Sequence, residues 1–105
     1  MAKETVICTY RVRPGAEDAF ESVLVRHWDV LRSLEFVTDE PALLLRHVSE
    51  PTYVEIFTRV EGGFARAHEH PHVLEIWESM DPHLEERDGK PKWEFPHYRR
   101  LATPA

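Results

Sequence analysis

Two strand-like segments in the middle of the chain are joined by only three residues, and this short connection restricts the possible folds. Residues 42–49 and 53–60 both have the composition and alternation of β-strands, and Glu50-Pro51-Thr52 lies between them. A parallel pair of strands needs a crossover of roughly a dozen residues or more. The sequence therefore predicts an antiparallel hairpin at the centre of the chain.

One strand and one helical region flank the hairpin on each side. Residues 5–12 alternate like a strand, Pro14-Gly15 ends it, and apolar residues at helical spacing follow over residues 16–34. After the hairpin, Gly62-Gly63 precedes a second helical region, and residues 93–98 form a last strand before a tail at 102–105. This β-α-β-β-α-β order predicts a ferredoxin-like α+β fold: a four-stranded antiparallel sheet with the helices on one face.

Prolines interrupt the second half of the chain. Pro71 disfavours helical structure at His70, so residues 63–69 are predicted to form a short helix, and Pro71 to begin another. Asp81-Pro82 resembles an N-cap followed by a first-turn proline, where the helix re-initiates. Pro96 indicates that the last strand is an edge, a bulge or an irregular stretch.

Length, charge and cysteine content limit the possible partners and compartments. The 105 residues suit a single domain over residues 1–105, and the net charge of −6 argues against nucleic acid and anionic membrane surfaces as partners. The start of the chain has no signal-peptide core, and no apolar run approaches the length of a membrane span. Cys8 is the single cysteine, which excludes an intrachain disulfide and favours a reducing compartment. We therefore expect a cytoplasmic protein.

Three histidines lie within five positions at the break in the second helical region. His68 and His72 have the i, i+4 spacing of a helical metal pair, but Pro71 interrupts the helix and no cysteine lies nearby, so we expect no metal. Histidine transfers protons near neutral pH, and His68 and His72 are the candidate catalytic residues, with at least one facing a cavity. Helix capping, surface contacts and dimer contacts are the alternatives for both. His70 precedes proline and is expected to turn outward.

A second group of candidates lies on the first helix and the third strand. His27 is at the centre of the apolar stripe of the first helix, where it is either a core residue bonded to a strand or a polar group lining a pocket. Glu55 is either a buried partner of a histidine or an exposed partner of Arg59. Trp28 and Trp77 are more often core or interface anchors than ligand contacts. The candidate substrate-binding residues are His27, Trp28, Glu55, Phe57 and Trp77.

The chain resembles the antibiotic biosynthesis monooxygenase (ABM)-like domains of the dimeric α+β barrel superfamily. The resemblance covers nearly the whole chain and is carried by Val12-Arg13-Pro14-Gly15, by residues 49–57, by residues 67–72 with Trp77, and by residues 92–95. Related domains often have two histidines five residues apart, whereas His68 and His72 are four apart. They also often carry a tryptophan near the end of the third strand, where this chain reads Phe57-Thr58-Arg59.

The resemblance implies both an activity and a partner. The superfamily includes cofactor-free oxygenases of aromatic polyketides, isomerases and haem-degrading enzymes. For this chain it implies proton transfer on an aromatic or carbonyl-bearing substrate, in a pocket between helices and sheet, with no cofactor. The alternative is a non-catalytic dimeric module that binds a small molecule or serves in assembly. The second sheet face carries apolar side chains, so we expect a homodimer through that face, and a small apolar or aromatic ligand.

Overall fold

A computed structural model describes residues 4–102; the start of the chain at 1–3 and the rest of the predicted tail at 103–105 lie outside the described residues. The elements follow the predicted order, although the last strand is in two pieces. They are β1 (Glu4–Arg11), α1 (Glu17–Ser33), β2 (Leu43–Arg46), β3 (Thr52–Arg59), α2 (Gly63–Ala67), α3 (Pro71–Met80), β4 (Trp93–Glu94) and β5 (His97–Tyr98). A single 3-10 turn at Asp81–His83 follows α3 directly.

The sheet is antiparallel throughout, which confirms the predicted fold class. Its order is β2-β3-β1-β4, and β5 also pairs with β1. The hairpin aligns Leu43 with Ile56, so β2 and β3 pair as their short connection requires. The last strand is divided at Pro96, which has no N–H to donate, although its carbonyl still accepts a hydrogen bond from the backbone N–H of Ile7 at 3.1 Å.

The helices pack on one face of the sheet. The buried side chains of α1 are Phe20, Val23, Leu24, His27 and Leu31, which recur at the spacing of one helix face. The ring of Phe20 lies 5.2 Å from that of Tyr10 on β1 and 5.3 Å from that of Tyr53 on β3, measured between centroids. None of the three helices within residues 4–102 combines the length and apolar composition that a membrane crossing demands.

The predicted break in the second helical region is confirmed. Helix α2 ends at Ala67 and α3 begins at Pro71, with His70 in an extended conformation between them. The side chain of His70 accepts a hydrogen bond from the backbone N–H of His72 at 3.2 Å and so caps α3. The break matters for the site because α2 and α3 run in different directions from it, which separates His68 from His72.

The sheet face opposite the helices carries apolar side chains. Strand pairing places Ile7, Leu43, Leu45, Val54 and Ile56 on this face. Leu43 and Leu45 are 53% and 44% exposed, and the other three are half-buried. A single chain therefore leaves a continuous apolar surface on one side of its sheet.

Candidate functional site

A cavity of about 300 Å³ lies between the helices and the sheet. This volume is at the lower end of the range for small-molecule sites. Most of the lining is apolar or aromatic, and the polar side chains in it are few. The lining residues are Cys8, His27, Leu31, Phe36, Val37, Phe57, Arg59, Gly63, Phe64, Ala67, His68, Leu74, Trp77, Trp93 and Phe95.

A chain of hydrogen bonds runs through the wall of this cavity and joins four elements. The hydroxyl of Tyr10 on β1 donates to Oε1 of Glu55 on β3 at 2.7 Å. Nδ1 of His27 on α1 lies 2.9 Å and 3.1 Å from the two carboxyl oxygens of Glu55. Nε1 of Trp77 on α3 donates to Nε2 of His27 at 3.0 Å. Tyr10, Glu55 and His27 are almost completely buried, so these bonds satisfy groups that water cannot reach.

The donors and acceptors determine the protonation of His27. An indole N–H can only donate, so Nε2 of His27 must accept and carries no proton. The single proton of the ring is therefore on Nδ1, which donates it to the Glu55 carboxyl group. His27 is held as the neutral Nδ1–H tautomer, and both of its nitrogens are engaged.

The buried hydroxyl and thiol beside Glu55 remain protonated at neutral pH. Burial, and then the charge of Glu55, raise the pKa of Tyr10 well above its ordinary value. The same two causes raise the pKa of the Cys8 thiol. Tyr10 consequently acts as a hydrogen-bond donor to Glu55, and Cys8 is not a nucleophile at neutral pH because the thiolate is the reactive form.

His68 lies at the mouth of the cavity with one ring nitrogen free. Its Nδ1 is 2.8 Å from the carbonyl oxygen of Phe64, which can only accept, so Nδ1 carries the proton. Among the described residues, Nε2 of His68 has no hydrogen-bond partner. The rings of Phe64 and Trp77 pack edge-on against the imidazole at 4.4 Å and 4.8 Å. His68 is thus oriented, partly exposed and able to accept a proton.

Arg59 is the one formally charged residue of the described lining, and its charge is neutralised. Its Nη2 lies 2.6 Å from Oε1 of Glu4, and its Nε donates to Nδ1 of His97 at 3.3 Å. The hydrogen bond from Arg59 is the largest cause that lowers the pKa of Glu4. An apolar wall with a paired charge suits a ligand that is neutral and largely apolar.

The structure places four of the sequence-derived candidates on the cavity. His27, Phe57, His68 and Trp77 line it, and Glu55 lies behind His27 as its hydrogen-bond partner. Of the two alternatives for Glu55, the structure has the buried partner of a histidine, because β3 turns Glu55 toward α1 while Arg59 pairs with Glu4.

His72 and Trp28 are not on the cavity. His72 is exposed in the first turn of α3, with its ring 5.4 Å from that of His70, because the break at Pro71 turns it away from His68. Trp28 packs beside the core, the guanidinium of Arg32 lies 5.8 Å from the centroid of its ring, and its indole N–H has no partner among the described residues.

The outward orientation expected for His70 is wrong. Its ring is half-buried, lies 5.9 Å from that of Phe36, and its Nδ1 caps α3. Helix α3 has no Ser, Thr, Asp or Asn before Pro71, so the imidazole takes the place that those side chains usually fill.

The sequence candidates did not include Tyr10, the fourth member of the hydrogen-bonded chain. Its signal was available, because Tyr10 shares a strand face with Val6 and Cys8, and a buried tyrosine hydroxyl requires a partner. Phe36, Phe64, Trp93 and Phe95 were also missed as lining residues, since each comes from a loop, a helix end or an irregular strand.

Among residues 4–102, no group of three His, Cys, Asp or Glu side chains is placed to hold a metal ion. The histidines nearest to one another in sequence, His68, His70 and His72, use their ring nitrogens for Phe64, for the α3 cap and for solvent, respectively. The chemistry available to the cavity is therefore that of imidazole, carboxyl, phenol and indole groups.

Comparison with known proteins gives a fold and no closer relative. No protein-family model matches the chain, and no curated protein matches it in sequence. Solved structures do match over nearly the full length. A single-residue variant of SnoaB, a cofactor-independent oxygenase from Streptomyces nogalater, is 21% identical with a TM-score of 0.78, over 98% of this chain and 97% of that one.

Two further structures are described as proposed antibiotic biosynthesis monooxygenases. The protein from Caulobacter crescentus is 13% identical with a TM-score of 0.79, over 96% of this chain and 92% of that one. The protein from Bordetella bronchiseptica is 13% identical with a TM-score of 0.77, over 97% of this chain and 100% of that one. The chain has the fold of the ABM-like domains. The resemblance carried by the sequence is thereby confirmed for the fold, and the chemistry has to come from the residues of the cavity.

Proposed function

We propose that this protein is a small-molecule enzyme of the ABM-like type that acts on an aromatic or carbonyl-bearing substrate in the cavity between helices and sheet. His68 removes a proton from a carbon atom of the substrate, and the carbanion reacts with dioxygen without a cofactor. A carbon–oxygen bond forms as a hydroperoxide, and loss of water leaves a carbonyl group. One oxygen atom enters the product and the other leaves as water, so the oxidation of CH₂ to C=O balances the reduction of O₂.

The observation that carries this proposal is the state of His68. A general base needs a free lone pair within reach of the substrate. His68 lines the cavity, its Nδ1–H is held by the carbonyl of Phe64, and its Nε2 is without a partner among the described residues. His27 also lines the cavity, but both of its nitrogens are engaged. The likeness in fold to SnoaB, a cofactor-independent oxygenase, supports the same reading.

Oxygen uptake with anthrone, an aromatic ketone with acidic benzylic C–H bonds, tests this function. We expect the purified protein to accelerate uptake and His68→Gln to lower the rate by about 10²- to 10⁴-fold, the usual contribution of a general base. His72→Gln is the matched comparison, because His72 is exposed four residues away and does not line the cavity. Equal rates for the wild type and His68→Gln would refute the role of His68.

A second candidate function is binding without reaction. The closed chain from Tyr10 through Glu55 and His27 to Trp77 favours it, because that chain satisfies its own polar groups and resembles a structural network. Titration with anthrone under nitrogen, followed by the fluorescence of Trp77, separates the two functions. Saturable binding with no oxygen uptake in air supports a binding module.

We also propose that two copies pair through the apolar sheet face. A face that leaves Leu43 and Leu45 about half exposed beside Ile7, Val54 and Ile56 is stabilised by covering it. Leu45→Glu is expected to give monomers in sedimentation velocity at micromolar concentration, because it places a charge in that face. Val48→Glu is the control, since Val48 is 99% exposed in the hairpin turn. A monomeric wild type would exclude this pairing.

A further inference from the structure

Nε2 of His27 is a buried acceptor on the wall of the cavity, and Trp77 covers it. His27 is 2% exposed, lines the cavity and accepts the indole N–H of Trp77 at 3.0 Å. An imidazole nitrogen has one lone pair, so this bond fully occupies the nitrogen. Any ligand group that uses Nε2 must first displace the indole.

Glu55 strengthens this acceptor from behind. Its carboxyl group accepts the Nδ1–H of His27 at 2.9 Å and is itself held by the Tyr10 hydroxyl at 2.7 Å. A carboxylate on one imidazole nitrogen holds the ring in a single tautomer and stabilises positive charge as the other nitrogen takes up hydrogen-bond density. Nε2 is accordingly suited to an acidic O–H group more than to a neutral amide.

Trp77 is placed where it can yield this position. Its side chain is half-buried and lines the cavity, and its ring contacts His68 at the mouth, so a rotated indole N–H can reach water. Exchanging one neutral hydrogen bond for another changes the free energy little. An O–H donor that is more acidic than indole makes the stronger bond to Nε2 and displaces it.

We infer that Nε2 of His27 is a second binding position in the cavity, which takes the O–H of a phenol or enol, and that Trp77 covers it in the unliganded protein. The inference deepens the proposed function and rests on it for the presence of a cavity ligand. It gives the ligand a polarity: an apolar aromatic body, one acidic hydroxyl at His27, and the reacting carbon toward His68. The titratable groups around His27 are Glu55 on β3, Tyr10 and Cys8 on β1, and His68 after α2.

A matched pair of probes tests the position. 2-Naphthol carries an acidic hydroxyl, and 2-methoxynaphthalene has nearly the same shape without a donor. In protein labelled with ¹⁵N, His27 is expected to show the Nδ1–H tautomer before addition. Saturation with 2-naphthol should shift the resonances of His27 Nε2 and of the Trp77 indole N–H, whereas 2-methoxynaphthalene should shift ring contacts only.

Trp77→Phe provides the second measurement. Phenylalanine keeps an aromatic ring in the cavity wall and removes the N–H that occupies Nε2. The affinity for 2-naphthol is expected to rise by about 2- to 10-fold, the factor that corresponds to one net hydrogen bond. The affinity for 2-methoxynaphthalene should change in neither direction by more than the loss of indole contacts explains. The ratio of the two affinities is the readout, so a general weakening of the cavity cancels.

Equal affinities of the wild type for the two probes, with no shift at His27 Nε2, would overturn the inference. So would an equal effect of Trp77→Phe on both, or failure of either probe to bind, the last of which also removes the cavity ligand from the proposed function. Discrimination between the probes without oxygen uptake on anthrone would leave the position at His27 standing and reject the oxygenase. Oxygen uptake that depends on His68 without discrimination would do the reverse.

Discussion

Replacing Gly63 by alanine tests the close approach that positions α2, and with it Phe64 and His68. Gly63 is buried at the start of α2, and an added Cβ would lie 3.1 Å from the carbonyl carbon and the Cα of Phe36, and closer still to its carbonyl oxygen. Ordinary contact begins at 3.4 Å. The obstacle is backbone, which has no side-chain torsion to relieve it, so α2 or the segment at Phe36 must move.

The cost follows from three contributions. Overpacking of a well-packed site costs about 1–3 kcal/mol. The Phe36 carbonyl accepts a hydrogen bond from the backbone N–H of Val60 at 3.1 Å, and its displacement adds about 0.5–1.5 kcal/mol. The better helix propensity of alanine returns up to about 1 kcal/mol. We expect Gly63→Ala to lower the free energy of unfolding by about 2–3 kcal/mol.

Gly62 provides a matched control because it is a glycine for a different reason. Its φ is +76°, and an added Cβ would meet only the end of the Arg66 side chain, at 4.0 Å. Gly62→Ala should therefore cost about 1–2 kcal/mol through backbone strain alone. Asparagine tolerates positive φ, so Gly62→Asn should recover part of that loss, whereas Gly63→Asn should be worse than Gly63→Ala.

Urea unfolding followed by far-ultraviolet circular dichroism, at one fixed protein concentration, measures these differences. With a slope of about 1–3 kcal/mol per molar urea, Gly63→Ala should lower the midpoint by about 1 M or more. The reasoning would be refuted if Gly63→Ala were as stable as the wild type, or if asparagine were tolerated equally at the two positions.

Three further predictions concern the caps and charges around the site. His70→Ala should cost about 0.5–2 kcal/mol because it removes the cap on the His72 N–H, while His70→Asn, a better cap, should restore stability in the same urea titration. The pKa of Tyr10 is raised in the folded state, so its contribution to stability is complete below the unfolded pKa of about 10 and falls as the pH rises above it; the alkaline loss measured by denaturation at pH 9–11 should be smaller in Tyr10→Phe. The pKa of Glu4 is lowered by Arg59, so its contribution is present above the unfolded pKa of about 4.5 and disappears as the pH falls further; Glu4→Gln should be less stable than the wild type at pH 7 and equal to it at pH 3. A wild-type advantage that persists at pH 3 would contradict that last assignment.

Local patterns in the sequence were sufficient for the order of the elements. The three-residue connection at Glu50-Pro51-Thr52 required an antiparallel hairpin, and the structure has it between β2 and β3. Pro71 predicted the break between α2 and α3 because it lacks an N–H and restricts the residue before it, and His70 is indeed extended. These features depend on neighbours within a few residues, which is the range that alternation, helical spacing and proline chemistry report.

The choice among the histidines depended on contacts that no local pattern contains. Glu55 meets His27 across 28 residues and Tyr10 across 45, and Trp77 meets His27 across 50. Such pairs form only after α1 and α3 have packed on β1 and β3, since a strand face shows which side chains point inward but not which of them meet.

His68 and His72 show the same division at close range. Their spacing of four residues is the same in the sequence as for two residues on one helix face, and it identified both as candidates. The structure separates them because the chain changes direction at His70, so that His68 lies at the cavity mouth and His72 in solvent. The sequence by itself determined that the helix breaks there; only the packing of α2 and α3 against the sheet decided which imidazole faces the cavity, because the direction of each short helix is set by the apolar residues that it buries.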